Sequence, residues 1–253
     1  MVKKYNYKKF AKYYDVIELE NGAFAPGANS FIDHILKKYK VKTLLDFTAG
    51  TGSQALYLSK KYKVTANDLN KEMLDIARMK ARRQRCKLKF NIGDVRYARL
   101  GRFDAIITIF NAIGHFDVDE FEKVLRNVKK NLKERGIYIF DIFNADYMRD
   151  NFISDKVIDV AIEHEGTKFV RFNNNRYDYK KGVMKIKQET WIQKGLSKPE
   201  ILRAVWDLKI YTIDQLKDLL KKNGFKIVKV NGWWGPKFDR KGSVLIIVVA
   251  QKM

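Results

Sequence analysis

From residue 30 to residue 143 the chain alternates apolar runs of helical period with short runs of strand character. That alternation constrains the fold more than any other feature, because strands separated by helices pair in parallel and are covered on both faces. The helical pattern occupies Phe31 to Tyr39, about Ser53 to Lys61, and Asn70 to Arg85 with Asn70 as N-cap. A further helix is marked by Phe121, Val124, Leu125, Val128 and Leu132 on one face, and Gly136 is expected to follow it as the C′ residue. Between these lie the strands V-K-T-L-L-D-F, K-V-T-A-N-D, L-K-F-N-I-G-D, F-D-A-I-I-T-I-F and G-I-Y-I-F-D-I-F.

Past residue 155 the texture changes. Runs such as V-M-K-I-K-Q-E-T-W-I and L-R-A-V-W-D-L-K-I-Y alternate with period two, the signature of antiparallel strands with one wet face. Met184, Ile186 and Ile192 should share a face opposite Lys185 and Lys187. A helix ending at Gly224 and two last strands, F-K-I-V-K-V-N and S-V-L-I-I-V-V-A, complete the pattern. The expected class is α/β: a Rossmann-like seven-stranded sheet with helices on both faces, plus an inserted antiparallel β meander. In these terms residues 1–155 hold an N-terminal helix and the first half of the main domain. Residues 156–211 are the insertion, and residues 212–253 return to the main sheet.

Composition limits the partners. The net charge of +22 suits polyanions such as RNA, DNA or anionic membrane, although the lysines are scattered rather than gathered into one block, which favours solvated faces. A single cysteine, Cys86, excludes an internal disulfide and a zinc site built on several thiolates, and no metal site is expected. No apolar run approaches the length of a membrane span, and no apolar segment follows the basic N-terminus, so a soluble cytoplasmic protein is expected.

The turn after the first strand carries the chemistry. Gly50-Thr51-Gly52-Ser53-Gln54-Ala55 fits the G-x-G-x-x-G/A pattern of nucleotide folds, a pattern that a ligand-free tight turn would also satisfy. Three strands, however, each bring an aspartate to the carboxyl edge, where open α/β sheets bind ligands: Asp46, Asp68 and, after Gly93, Asp94. A carboxylate can accept both hydroxyls of a ribose at Asp68 and an adenine amino group at Asp94. Together they suggest a ligand with a cationic end, a ribose and an adenine, whereas a nicotinamide cofactor would need neither Asp46 nor Asp94.

On these residues the sequence resembles the class I S-adenosylmethionine-dependent methyltransferases along nearly its whole length. D-F-T-A-G-T-G is similar to that family's first motif, which implies cofactor contacts around Asp46, Thr48, Ala49, Gly50 and Gly52; many relatives have glycine where Thr48 stands. N-D-L-N-K-E-M-L resembles the second, with Asp68 on the ribose and Leu69 and Met73 lining the adenine pocket. G-D-V resembles the third, with Gly93, Asp94 and Val95 at the adenine edge, and F-N-A-I-G-H-F the fourth-strand motif, with Phe110 and Asn111 beneath the sulfonium. The resemblance implies S-adenosyl-L-methionine as cofactor and S-adenosyl-L-homocysteine as product.

The acceptor is less constrained. No N-P-P-Y-type segment follows the fourth strand, and Cys86 lies in the basic stretch R-R-Q-R-C-K-L-K away from the strand edge. F-A-K-Y-Y-D, I-G-H-F and the inserted meander resemble glycine and amino-sugar N-methyltransferases, which implies a small-molecule acceptor methylated at nitrogen or oxygen, with the meander as a lid. His115 and Tyr14 are the candidates for orienting the acceptor or removing its proton, and each could instead be structural. Trp191, Trp206 and W-W-G-P form either an acceptor wall or core packing, and Asp141 and Asn144 are placed on the acceptor side. An RNA methyltransferase, most plausibly one acting on tRNA, is the alternative that the charge supports. Oligomeric state is not legible.

Overall fold

The computed structural model describes residues 7–20 and 24–253. Its main sheet has seven strands in the order β10-β11-β5-β4-β1-β2-β3. The central strands β1 (Thr43–Asp46), β2 (Lys63–Asp68), β3 (Lys89–Ile92), β4 (Phe103–Thr108) and β5 (Leu132–Phe143) run parallel. β11 (Leu245–Lys252) inserts antiparallel between β5 and β10 (Phe225–Asn231). The strand order reverses direction between β1 and β4, so the carboxyl ends of those two strands flank the crevice where such sheets bind ligands.

Helices cover both faces. α1 (Phe24–Lys38), α2 (Ser53–Leu58) and α3 (Lys71–Arg83) bury Ile32, Ile35, Leu36, Ala55, Leu58 and Leu74 against Leu44, Ile107, Ile139 and Val249. α4 (Val118–Asn131) and α6 (Ile213–Lys222) bury Phe121, Val124, Leu125, Leu216 and Leu220 against Tyr138, Phe140, Ile246 and Val248 on the other face. Local chemistry sets the helix starts. The Asn70 side chain accepts from Met73 N at 3.1 Å, and Asp117 and Thr212 each close a capping box, with Glu120 and Gln215 respectively.

The helices differ from the sequence pattern in several places, α2 for one ending at Leu58. α1 begins seven residues before Phe31; Pro26 falls within its first turn, where the missing N–H would have no intrahelical partner anyway. α4 ends at Asn131 with β5 starting at the next residue, so Gly136 is not a helix C′ residue. The left-handed residue there is Arg135 (φ 60°). Gly136 instead lets β5 pass β4 closely, since a Cβ would sit 3.1 Å from the Asp104 carbonyl oxygen. A short helix the pattern did not announce, α5 (Ala145–Asn151), follows β5, capped by Asn144.

The insertion is a separate four-stranded antiparallel sheet, β6 (Asp155–His164), β7 (Thr167–Asp178), β8 (Val183–Lys194) and β9 (Glu200–Lys209), each strand paired with the next. Met184, Ile186 and Ile192 are buried on one face while Lys185 and Lys187 are exposed on the other, as the alternation requires. Among the described residues no helix is long and apolar enough to cross a membrane, and no cluster of three metal-ligating side chains occurs.

Candidate active site

The first strand runs into its turn through Asp46, and the backbone then needs left-handed conformations at Gly50 (φ 52°) and Gly52 (φ 87°). Thr48 is not in that region, so the position needs no glycine. A side chain on Gly52 would lie 3.0 Å from Ala77 Cβ, which ties the turn to α3. Asp68 accepts from Gly50 N and Asn70 N, both at 2.8 Å, and so joins the glycine turn to the end of β2.

This turn floors a cavity of about 420 Å³ at the carboxyl edge of β1, β2 and β4, within the range of small-ligand sites. Of the residues singled out from sequence, Tyr14, Thr48, Ala49, Gly50, Asp68, Leu69, Met73, Gly93, Asp94, Val95, Phe110 and His115 line it. Asp46 and Gly52 do not. Asp46 is 2% exposed behind the turn, and its carboxyl is pushed up to about 8 by burial and by the charge of Asp68, with the Thr48 and Ala55 amides partly offsetting. Burial also raises the Asp68 carboxyl, against hydrogen bonds from Asn70, Gly50 and Leu69 amides. Asp94 is gripped by Arg96 through both oxygens (3.0 and 2.6 Å), and Arg96 also reaches Glu120 at 2.5 Å. Three buried polar atoms around the turn have no hydrogen-bond partner: Asp46 Oδ2, Thr48 Oγ1 and Gln54 Nε2. Buried polar groups are rarely left so, and each is a place where a ligand can bond.

A second cavity, of about 280 Å³, adjoins the first; Tyr7, Tyr14, Phe110 and His115 line both. Its walls come from five parts of the chain. The N-terminal segment gives Tyr7, Tyr14 and Glu18, and the turn after β4 gives Phe110, Asn111 and His115. β5 gives Asp141 and Phe143, the meander gives Gln188, Trp206 and Leu208, and the stretch from β10 to β11 gives Trp233, Trp234 and Leu245. Asn111 therefore borders the second cavity rather than the first. Phe110 and Asn111 are both left-handed (φ 62° and 54°), a strained pair held from behind: Asn111 N donates to Asp141 Oδ2 (3.0 Å) and Phe143 N donates to Asn111 Oδ1 (3.1 Å). Asp141 is 1% exposed, its Oδ1 has no partner, and burial pushes its carboxyl up to about 7 against the amides of Asn111 and Phe110.

His115 closes the 3₁₀ turn Ala112–His115 and its Nε2 lies 3.1 Å from Tyr7 Oη. The Tyr14 phenol is held neutral, first by burial and then by the carboxylates of Glu18, Asp68, Asp15 and Asp141, so it can donate a hydrogen bond but not act as a base. Two sequence expectations change here. Asn144 is fully buried and spends its side chain on the Arg240 and Ser243 carbonyls and on capping α5, so it does not face the cavity. Trp191 stands half out of the meander, edge-on to Phe172, and does not join the aromatic wall that Trp206, Trp233 and Trp234 form.

Sequence reading passed over two residues that fasten the site. Asp15 accepts from Thr51 Oγ1 at 2.6 Å and pairs with Lys80, which latches the N-terminal segment to the glycine turn. Glu18 pairs with the buried Arg171 of β7, which also holds Asp159, and Tyr13 donates to Glu200 of β9 at 2.7 Å. The segment from Tyr7 to Glu18 thus bolts the meander to the first cavity. Asp15 stood inside the F-A-K-Y-Y-D stretch and carried a readable signal; Glu18 had none, because its partner lies 153 residues away.

Residues 44–136 match the model of a methyltransferase domain. A Geobacillus sp. (strain WCH70) protein that carries a methyltransferase name is 25% identical over 272 residues, spanning 97% of this chain and 99% of its own. The glycine/sarcosine N-methyltransferase of Parasynechococcus marenigrum (strain WH8102) is 28% identical over 175 residues, 63% of this chain and 61% of that one. Among solved structures, an S-adenosylmethionine-dependent methyltransferase from Clostridium acetobutylicum ATCC 824 superposes with a TM-score of 0.83 at 21% identity, covering 97% and 98% of the two chains.

Proposed function

We propose that the chain is a class I S-adenosylmethionine-dependent methyltransferase, that its acceptor is a small molecule and that the methyl group goes to an amine nitrogen. The second cavity carries this reading. It sets two acidic side chains, Glu18 (shared with Arg171) and Asp141, beside an aromatic wall of Tyr7, Tyr14, Trp206, Trp233 and Trp234, a combination suited to an amine and its ammonium form through acceptor oxygens and ring quadrupoles. A hydroxyl acceptor would gain little from such a lining. The partial relative named a glycine/sarcosine N-methyltransferase supports the same direction.

The first cavity fits the cofactor on its own chemistry. Asp68 keeps acceptor capacity beyond its amide bonds for a ribose hydroxyl, and Asp94, fixed by Arg96, lines the cavity beyond it. The unpartnered Gln54 Nε2 and Thr48 Oγ1 can bond the amino-acid end, and Gly50 lets backbone approach it. Bound there, S-adenosyl-L-methionine supplies an electrophilic methyl carbon and leaves as S-adenosyl-L-homocysteine.

The remaining work belongs to the chain. Tyr7, Tyr14, Phe110 and His115 stand where the two cavities meet and fix the line of approach, which is the main catalytic need of such a transfer. An ammonium must lose a proton before its nitrogen has a lone pair. The Asp141 carboxyl, poised near neutrality with Oδ1 open, is matched to receive it. His115, backed by Tyr7, orients the nitrogen from the other side. The meander and N-terminal segment exclude water.

Tryptophan fluorescence tests the acceptor class. With S-adenosyl-L-homocysteine present, primary and secondary amines should quench saturably while matched alcohols do not, and Glu18→Gln should weaken the amine response at least tenfold. Equal responses to alcohols and amines would overturn the nitrogen assignment.

A further inference from the structure

Of the chain's 51 Lys and Arg residues Arg96 lines the first cavity, while a group of the exposed ones gathers at the opposite edge of the main sheet. Every parallel strand of the main sheet points its carboxyl end at the two cavities, where Asp68, Asp94 and Asp141 stand. The opposite edge receives the helix C-termini and the strand starts, and it is basic from one end to the other. At the β3 and β2 end it carries Arg82 and Arg83 in the last turn of α3, Arg85 and Lys87 after it, Lys60 before β2 and Lys63 at its start, all exposed. It continues through Lys40 and Lys42 before β1, Arg102 before β4 and Arg135 in β5, to Lys221 and Lys226 around β10.

Local needs explain only part of this. Cations in a last helical turn answer the helix dipole, which accounts for Arg82 and Lys221 but not for Lys42, Lys63 or Lys87, which precede or begin strands. Counter-ions at this edge are few among the described residues: Asp33 takes Lys37 and Lys61, Asp104 takes Lys133, Glu134 takes Lys252 and Glu122 takes Lys222. The Glu134 carboxyl is held low by Lys252 and also by Arg102 and Lys129, which places cations from three elements around one acid. Among the described residues no salt bridge engages Lys40, Lys42, Lys60, Lys63, Arg85 or Lys87. Seven strands spaced about 4.8 Å apart make this edge roughly 29 Å long, a little under one turn of a duplex.

We propose that this basic edge is a binding surface for the sugar–phosphate backbone of a nucleic-acid duplex, separate from the methyl-transfer site on the opposite edge. The edge supplies charge without stacking platforms: Tyr62, Phe103 and Phe225 at the strand starts are buried, so bases of a single strand would find no exposed ring there. Among the described residues Met253, after β11, is exposed at this edge, but one apolar side chain makes no patch that would insert into a bilayer; on β3, Ile92 is exposed, but at the far, carboxyl end. Phosphate contacts of this kind read no sequence and are strongly weakened by salt.

Fluorescence anisotropy with labelled 20-base-pair duplexes, one DNA and one RNA, tests this on the full chain. Wild type should bind at least one of them, and about five neutralised phosphates would cost roughly 500-fold in affinity between 50 and 200 mM salt. Comparable binding of both duplexes assigns the contact to the shared backbone; binding of one alone assigns the surface to that source. Reversing four edge charges together (Lys60→Glu, Lys63→Glu, Arg85→Glu, Lys87→Glu) should abolish binding while leaving S-adenosyl-L-homocysteine affinity unchanged. Neutral glutamine versions of the same four, which avoid new repulsion, should flatten the salt slope by about 3–4. Failure of wild type to bind either duplex at 50 mM salt overturns the proposal. So does binding untouched by both sets of substitutions, or tight binding to anionic phospholipid vesicles in place of duplex.

Discussion

Replacing Asp141 by asparagine isolates the group on which the proposed proton transfer depends. Burial lifts this carboxyl from an ordinary 3.8 to about 7 in the folded chain, so the native state holds the proton more tightly than the unfolded chain does. The stability that this contributes is complete below pH 3.8 and is lost as pH rises through 7. About three units at 1.36 kcal/mol each give ~4 kcal/mol, falling by about 1.4 kcal/mol per pH unit across the window. Asp46, pushed up to about 8, adds a slope of the same sign, but it is present in both proteins and cancels in the comparison. Thermal unfolding of the apo wild type and Asp141→Asn from pH 5 to pH 8 is the assay. The variant should gain on wild type by ~3 kcal/mol over that range, or about 6–12 °C for a chain of this size. Methyl transfer by wild type should rise with pH through about 7, a limb the variant lacks. Parallel melting curves would refute the reasoning, because Asp141 would then be hydrated and ionised throughout.

Asp68→Ala removes the acceptor for Gly50 N and Asn70 N together with the proposed ribose contact, and should weaken S-adenosyl-L-homocysteine binding by about 10- to 100-fold in isothermal titration. Gly52→Ala forces a side chain into φ 87° with 3.0 Å to Ala77 Cβ, and should cost about 1–3 kcal/mol in urea denaturation. His115→Ala should lower turnover more than cofactor affinity, since the imidazole stands at the junction with the acceptor cavity; an equal loss in both would move it to the cofactor. Turnover on a small acceptor should vary only modestly between 50 and 200 mM salt, in contrast to the steep dependence expected of duplex binding on the far edge.

Legibility in the sequence followed the range of the interactions involved. The parallel sheet, the capped start of α3 and the meander all rest on periodicity and on neighbours a few residues apart, and a chain reader sees these directly. The glycine turn and Asp68 belong to the same class, because their spacing is local. Gly136 misled because glycine serves two needs; here close passage of two strands, not a helix end, required it. Asn144 looked like a site residue because it follows a strand at the ligand edge, yet its amide is consumed by carbonyls 96 and 99 positions away. The second cavity was the least visible part. Glu18, Gln188, Trp206 and Trp234 meet only after the N-terminal segment, the meander and the last strands close on one another, and no local pattern encodes that meeting. The net charge was plain from the outset, but the row of cations along one edge became visible only with the strand order.

The central claim is that the carboxylate-and-aromatic cavity beside the cofactor accepts a small amine. The most direct measurement is methyl transfer from radiolabelled S-adenosyl-L-methionine to three matched panels: small primary and secondary amines, their hydroxyl analogues, and unmodified tRNA. Wild type should label members of the amine panel, and Glu18→Gln and Asp141→Asn should suppress that labelling while both proteins still bind S-adenosyl-L-homocysteine. Label appearing in the alcohols or the tRNA, with the amines untouched, would contradict the account.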